Sequence, residues 1–174
     1  MKNIFKAVFA VLFAVVFISC SDENTNINAE KMTFEELEKT PGYTWFSFEI
    51  DKYEPENNVV LDIKEKFDPS KHRFILFVKP SCSCPGKHLQ SPGFVKTLEN
   101  AGIPIEKCEI FSMSSATNLH PYMDIIKINE LPAIIVMNGD MPVYSVSDTV
   151  NKSVVYNPNA SLKVEQALLL GLEK

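Results

Sequence analysis

Four cysteines carry most of the chemistry this sequence could perform: Cys20, Cys82, Cys84 and Cys108. Two of them stand one residue apart in Pro80-Ser-Cys-Ser-Cys-Pro-Gly-Lys-His88, between a continuous apolar run and a helix-like stretch. A thiolate is both a nucleophile and a soft metal ligand, and a helix N-terminus lowers its pKa through the helix dipole and unpaired N–H groups. Such a pair suits thiol–disulfide exchange. With His88 it could instead offer two sulfurs and a nitrogen to copper(I) or zinc. Cys108 alternates with Ile110 in EKCEIF and reads as a buried, inert thiol packing as a small hydrophobe, with a third redox or metal role as the alternative. No serine–histidine–acid constellation, phosphate-binding glycine loop or paired-carboxylate motif competes with the cysteines.

Cys20 has a different context. Lys2 and Lys6 precede an unbroken apolar run from Ala7 to Ile18, the length of a secretory h-region and too short for a membrane-crossing helix. Phe17-Ile-Ser-Cys20 then resembles the lipobox of bacterial lipoproteins. That resemblance implies cleavage after Ser19 and fatty acylation of Cys20 with palmitate-type chains, which together make a stable anchor. Residues 1–19 are then the signal peptide. Cys20 and the polar SDENTNINAE stretch to residue 30 are the lipidated terminus and tether, and 31–174 the folded domain. Ser21 is compatible with outer-membrane delivery, and Asp22-Glu23 resembles surface-export signals. The expected location is the cell envelope, at the periplasmic face or the outer-membrane surface.

The remaining composition fits one domain. The chain has 174 residues and a net charge of −5; removing Lys2 and Lys6 with the leader takes it to −7. About 155 residues suit a single core. A net negative domain is a poor unaided ligand for nucleic acid or anionic lipid. Outside the cytoplasm disulfides are allowed, and three thiols besides Cys20 leave one unpaired within the molecule.

The elements that must position the pair read as follows. Thr33-Phe-Glu-Glu36 is a capping box opening a short helix to Lys39. Tyr43 to Tyr53 alternates and predicts a strand. VVLDIKEKF predicts a helix with Val60, Ile63 and Phe67 on one face. Asp68-Pro69 turns the chain, with His72 as a turn residue. Arg73 to Lys79 predicts a central strand buried on both faces. A helix over 92–100 ends at Gly102. Glu106 to Met113 predicts a strand, Pro121 to Lys127 a helix, and Ala133 to Met137 a strand. Asn138-Gly139 is a hairpin turn leading to a partner strand at 142–146, and Ser161 to Leu172 a closing helix. The order is α/β, with parallel pairing early and an antiparallel hairpin late.

A buried strand running into a cysteine pair, with Leu131-Pro132 opening a strand–NG–strand hairpin, resembles the thioredoxin-like superfamily over about 43–174. The residues that carry the likeness are RFILFVKPSCSCPGK and INELPAIIVMNGD. The resemblance implies a mixed central sheet with helices on both faces, and a cis-proline at Pro132 beside the sulfurs. It implies thiol–disulfide oxidoreductase activity with no cofactor, on protein thiols or disulfides of the envelope, in a monomer. Cys82 and Cys84 would be the catalytic pair. Counting from the strand makes Cys82 the family's first cysteine; counting back from Pro92 makes it Cys84. An i, i+2 disulfide is strained and therefore oxidising, which favours an oxidase or isomerase over a reductant. The chain departs from the family in its CxC spacing. It also lacks the tryptophan before the motif and the acid in the preceding strand, where Leu76 or Val78 stands. Two other readings fit. One is a copper-binding or metallochaperone thioredoxin-fold protein using Cys82, Cys84 and His88, with His120 as a distant ligand; the other is a non-catalytic binding lipoprotein.

Overall fold

The computed structural model describes residues 28–80, 89–157 and 161–174. In chain order its elements are β1 (Glu30–Met32), α1 (Phe34–Lys39), α2 (Phe46–Lys52), α3 (Asn57–Lys66), β2 (His72–Val78) and α4 (Gln90–Ala101). A 3₁₀ turn (Ile105–Lys107) follows, then β3 (Cys108–Ser112), β4 (Ala133–Asn138), β5 (Met141–Ser145), α5 (Val146–Tyr156) and α6 (Val164–Leu172). The five strands form one mixed sheet in the order β1-β3-β2-β4-β5. β2 and β3 run parallel, joined through α4, whereas the β1–β3, β2–β4 and β4–β5 pairs are antiparallel.

β2 sits at the centre because only there can its apolar run be covered twice. Phe74, Leu76 and Val78 enter one core, and Ile75 and Phe77 enter another on the opposite face. All six described helices send side chains into the first core. Among the described residues no helix lies over the second face. It is covered by the irregular segment 113–132, through Met113, Ile126, Tyr122, Ile128 and Leu131. The α/β class holds, and the expectation of helices on both faces is corrected for the described residues.

The reason lies in residues 121–127. They form turns rather than the expected helix, closed by Met123 N–H to His120 O and Ile126 N–H to Tyr122 O. Ile125, Ile126 and Ile128 are β-branched and lose side-chain freedom in a helix. Laid flat, the segment buries Ile126 and leaves Met123 and Ile125 out.

Tyr43–Tyr53 is the other correction, since it holds helix α2 instead of a strand. Alternation would have put Phe46, Phe48 and Ile50 on one face. The helix buries Phe46 and Ile50, an i, i+4 pair, and turns Phe48 outward beneath Lys52, whose Nζ lies 3.5 Å from the ring centroid. His72 is likewise no turn residue but the buried first residue of β2. The closing helix starts at Val164 rather than Ser161, and α5 and β1 had no counterpart in the sequence reading. The hairpin turns on Gly139-Asp140, with Asn138 paired to Met141 and Gly139 at φ +56°. The Thr33–Glu36 capping box and the left-handed Gly102 cap form as expected.

His72 gives the stability a pH dependence. Its Nδ1 accepts the Asp68 N–H at 3.0 Å, and burial holds the imidazole below its ordinary 6.5. Above that value both folded and unfolded chains carry neutral rings. As pH falls through 6.5 the unfolded chain takes up the proton first, so folding stability drops. Burial lowers His120 too, and its contribution has the same sign. The urea midpoint should fall between pH 7.5 and 5.5, and fall less in His72→Gln, which keeps an acceptor for Asp68. An equal fall in the variant would remove His72 from the account.

α4 is held close by a glycine. A Cβ on Gly93 would lie 2.7 Å from Tyr53 Cε2 and 2.8 Å from Cζ. Gly93→Ala gains about 1 kcal/mol in helix propensity but overpacks at a cost of roughly 1–3 kcal/mol. It should lower stability slightly and Gly93→Leu far more. Thermal unfolding of both variants tests the order.

Candidate functional site

One pole of the sheet gathers the elements on which the sequence reading depends. β2 ends at Val78, and the chain continues through Lys79 to Pro80. Ala133, the first residue of β4, pairs with Phe77, so Pro132 lies at the level of Val78. The Leu131–Pro132 peptide bond is cis, as the resemblance implied, and Pro132 is buried. α4 starts at Gln90, two residues earlier than expected, with Pro92 in its first turn where a missing N–H does no harm. The eight residues 81–88 join Pro80 to Leu89. Cys82, Cys84 and His88 lie among them, outside the described residues, as does Cys20 in 1–27.

The other predicted residues separate by position. Cys108 pairs with Phe74 at the opposite end of β2, about 13 Å along the strand from Val78 at 3.3 Å per residue. It is 8% exposed, and burial pushes its thiol well up, with the Glu109 charge adding to the effect. That thiol is protonated and unreactive at neutral pH. His120 is at the candidate pole, its ring edge-to-face with Phe77 at 4.8 Å and its Nδ1 accepting the Tyr122 N–H at 3.3 Å. Among the described residues no group of three or more His, Cys, Asp and Glu side chains could hold a metal.

Three residues at this pole gave no sequence signal. Gln90, 5% exposed, donates from Nε2 to Asn151 Oδ1 at 2.8 Å, and Asn151 Nδ2 donates to Glu130 Oε1. This chain links the first turn of α4, helix α5 and the residue two before Pro132. Its members are 21 and 61 positions apart in sequence, so no local pattern betrays it. Leu76 and Val78 are both buried in the first core, so no carboxyl stands in β2. The one buried carboxylate among the described residues is Glu165 of α6. It accepts the Tyr53 hydroxyl at 2.6 Å and the Glu56 N–H at 3.1 Å.

The far pole carries a charged cluster. Glu109 accepts from Arg73 (2.9 Å), Tyr122 (2.7 Å) and Lys31 (2.8 Å), and Arg73 also reaches Asp140 and the Gly139 carbonyl. Burial works to raise the Glu109 carboxyl. The bonds from Lys31 and Tyr122, with the Lys31 and Arg73 charges, outweigh it and hold the carboxyl below its usual range. This cluster ties β1, β2, β3 and the hairpin together at the end away from Pro132.

Comparison with protein-family models, curated proteins and solved structures returns no match. No helix among the described residues is long and apolar enough to cross a membrane.

Proposed function

We propose that this chain is a lipid-anchored, cell-envelope thiol–disulfide oxidoreductase with a thioredoxin-like fold. The observation that carries the reading is the convergence at one pole: β2 runs in sequence into the Cys82-Ser-Cys84 segment, Leu131-Pro132 opens β4 beside the end of β2, and α4 follows that segment in the chain. The sheet order, with β2 and β3 parallel and β4 and β5 antiparallel, supports the same fold.

In the oxidising direction a substrate thiolate attacks one sulfur of the Cys82–Cys84 disulfide, and the other cysteine leaves as a thiolate. A second substrate thiolate then attacks the substrate sulfur of the mixed disulfide. The substrate becomes a disulfide, and the pair takes up its two electrons. Another protein disulfide of the envelope reoxidises the pair by the reverse exchange. Acylation of Cys20 supplies the membrane attachment, since the net charge opposes anionic lipid.

Thiol counting tests the reading. Alkylation of denatured protein should tag two fewer thiols after oxidation than after reduction, reversibly, with Cys108 tagged in both. If Cys82 and Cys84 both stay alkylatable after oxidation, the redox reading fails. Copper bound stoichiometrically through Cys82, Cys84 and His88 would replace it.

A further inference from the structure

Three helices line one cleft at the end of α4 away from Pro132. α1 contributes Phe34 and Glu38, α2 contributes Ser47, Ile50 and Asp51, and α4 contributes Val95, Leu98 and Glu99. Within each helix the later residues follow the first by three or four positions, so one face supplies apolar surface and a carboxylate together. The Gly102–Ile105 segment, which leads from α4 towards β3, completes the lining. Ile50, Val95, Leu98 and Ile103 are buried and form the floor, whereas Glu38, Asp51 and Glu99 are exposed and form the rim. The cleft measures about 540 Å³, within the roughly 300–1,000 Å³ of small-molecule sites.

The carboxylates run against local helix chemistry. All three lie in the last turns of their helices. There the macrodipole is negative and the final carbonyls lack partners, so an acid is unfavourable and a base preferred. The bases that α1 and α2 carry in those turns are engaged elsewhere: Lys39 pairs with Glu35, and Lys52 lies over the Phe48 ring. Lys96 pairs with Glu99 at 3.0 Å, and Ser47 Oγ donates to Glu38 at 2.7 Å. The Asp51 carboxylate has no partner among the described residues. No lysine, arginine or histidine stands among the described residues lining the cleft. A local rule broken three times around one cavity, with Lys96 alone in compensation, marks a functional surface.

A negative field over an apolar floor is complementary to a cation with an apolar body. The three carboxylates do not gather into a set able to hold a metal ion. The matching charge is therefore spread along a molecule. We infer that this cleft binds a small alkyl amine with two or more ammonium groups, its chain on the apolar floor and its nitrogens on the separated carboxylates. Neither the redox pair nor the lipid anchor enters this inference.

The test uses the full chain in zwitterionic phosphatidylcholine nanodiscs, with empty discs as the reference and 1,8-diaminooctane as the probe. Isothermal titration should show saturable one-to-one binding with a dissociation constant of roughly 1 mM or below. The uncharged 1,8-octanediol should bind about tenfold more weakly, the worth of a few exposed ion pairs. Glu38→Gln/Asp51→Asn/Glu99→Gln keeps the side-chain shapes and takes acids away from helix ends, so its melting temperature should not fall. Its affinity for the diamine should drop to that for the diol. Lys96→Gln removes the one competing cation and should tighten diamine binding about twofold. No saturable binding of the diamine, equal binding of the diol, or undiminished affinity in the folded triple variant each overturns the inference. A lysine-rich amphipathic peptide that binds where the diamine does not would assign the cleft to a polypeptide and overturn it too.

Discussion

Serine at Cys82 or at Cys84 should each reduce disulfide transfer by on the order of 10²-fold or more, because a hydroxyl is not a nucleophile towards sulfur at neutral pH. The two variants should fail differently. The one that retains the attacking thiol, without its resolving partner, should accumulate mixed disulfides that a reducing agent releases. The other should accumulate none. The asymmetry decides between the two registers that the sequence leaves open. Both lie in the eight residues between Pro80 and Leu89, so neither substitution replaces a described core residue. Unfolding midpoints of the reduced proteins should match wild type, which separates lost chemistry from lost folding. If neither variant traps a partner while oxidised wild type still loses two thiols, the pair is a structural disulfide.

Glu165→Leu should cost roughly 3 kcal/mol, the largest loss of stability expected from a single charged residue here. The substitution strands two donors at once, the half-buried Tyr53 hydroxyl and the Glu56 N–H, both of which point at a fully buried side chain. Hydrogen bonds to a charged group contribute about 1.5–3 kcal/mol each, and a buried donor left unpaired loses its solvation outright. Glu165→Gln keeps one carbonyl acceptor but turns an amide towards the other donor, so it should fall between. Tyr53→Phe should cost less than Glu165→Leu, and the double substitution less than the two combined, since both remove the same bond. Urea unfolding with an unchanged slope is the measurement. A Glu165→Leu loss below about 1 kcal/mol would mean that these donors find other partners. Because Gly93 of α4 rests on the Tyr53 ring, the same cluster sets how closely α4 approaches Tyr53 at the end of α2.

The parts of this fold legible in sequence are those where burial leaves a one-dimensional trace. β2 and β4 read correctly because strands covered on both faces become apolar runs. The Thr33 capping box and the Gly102 cap read correctly because end chemistry is local. α2 misled because its aromatics satisfy a two-residue period as well as a helical one, and only tertiary burial of Phe46 against exposure of Phe48 separates the two. α5 left little trace: Val146, Val150, Val154 and Val155 are poor helix formers, and the helix is held mainly by its packing on β4 and α6. β1 is three residues long, too short for any period. At the candidate site, Pro132 was legible from the hairpin that follows it. The Gln90–Asn151–Glu130 chain was not, because only the fold brings those residues together.

The uneven covering of the sheet has a consequence for local opening. One face lies under six helices with a continuous core, and the other under segment 113–132, which has no helical ladder of its own. Sub-global openings follow the weakest cover, so amides of 114–131 should exchange with solvent well before those of β2 or α4. When that flap lifts, Phe77, Phe111, Ile135 and Met137 become a transient apolar surface on the side of the sheet away from the helices.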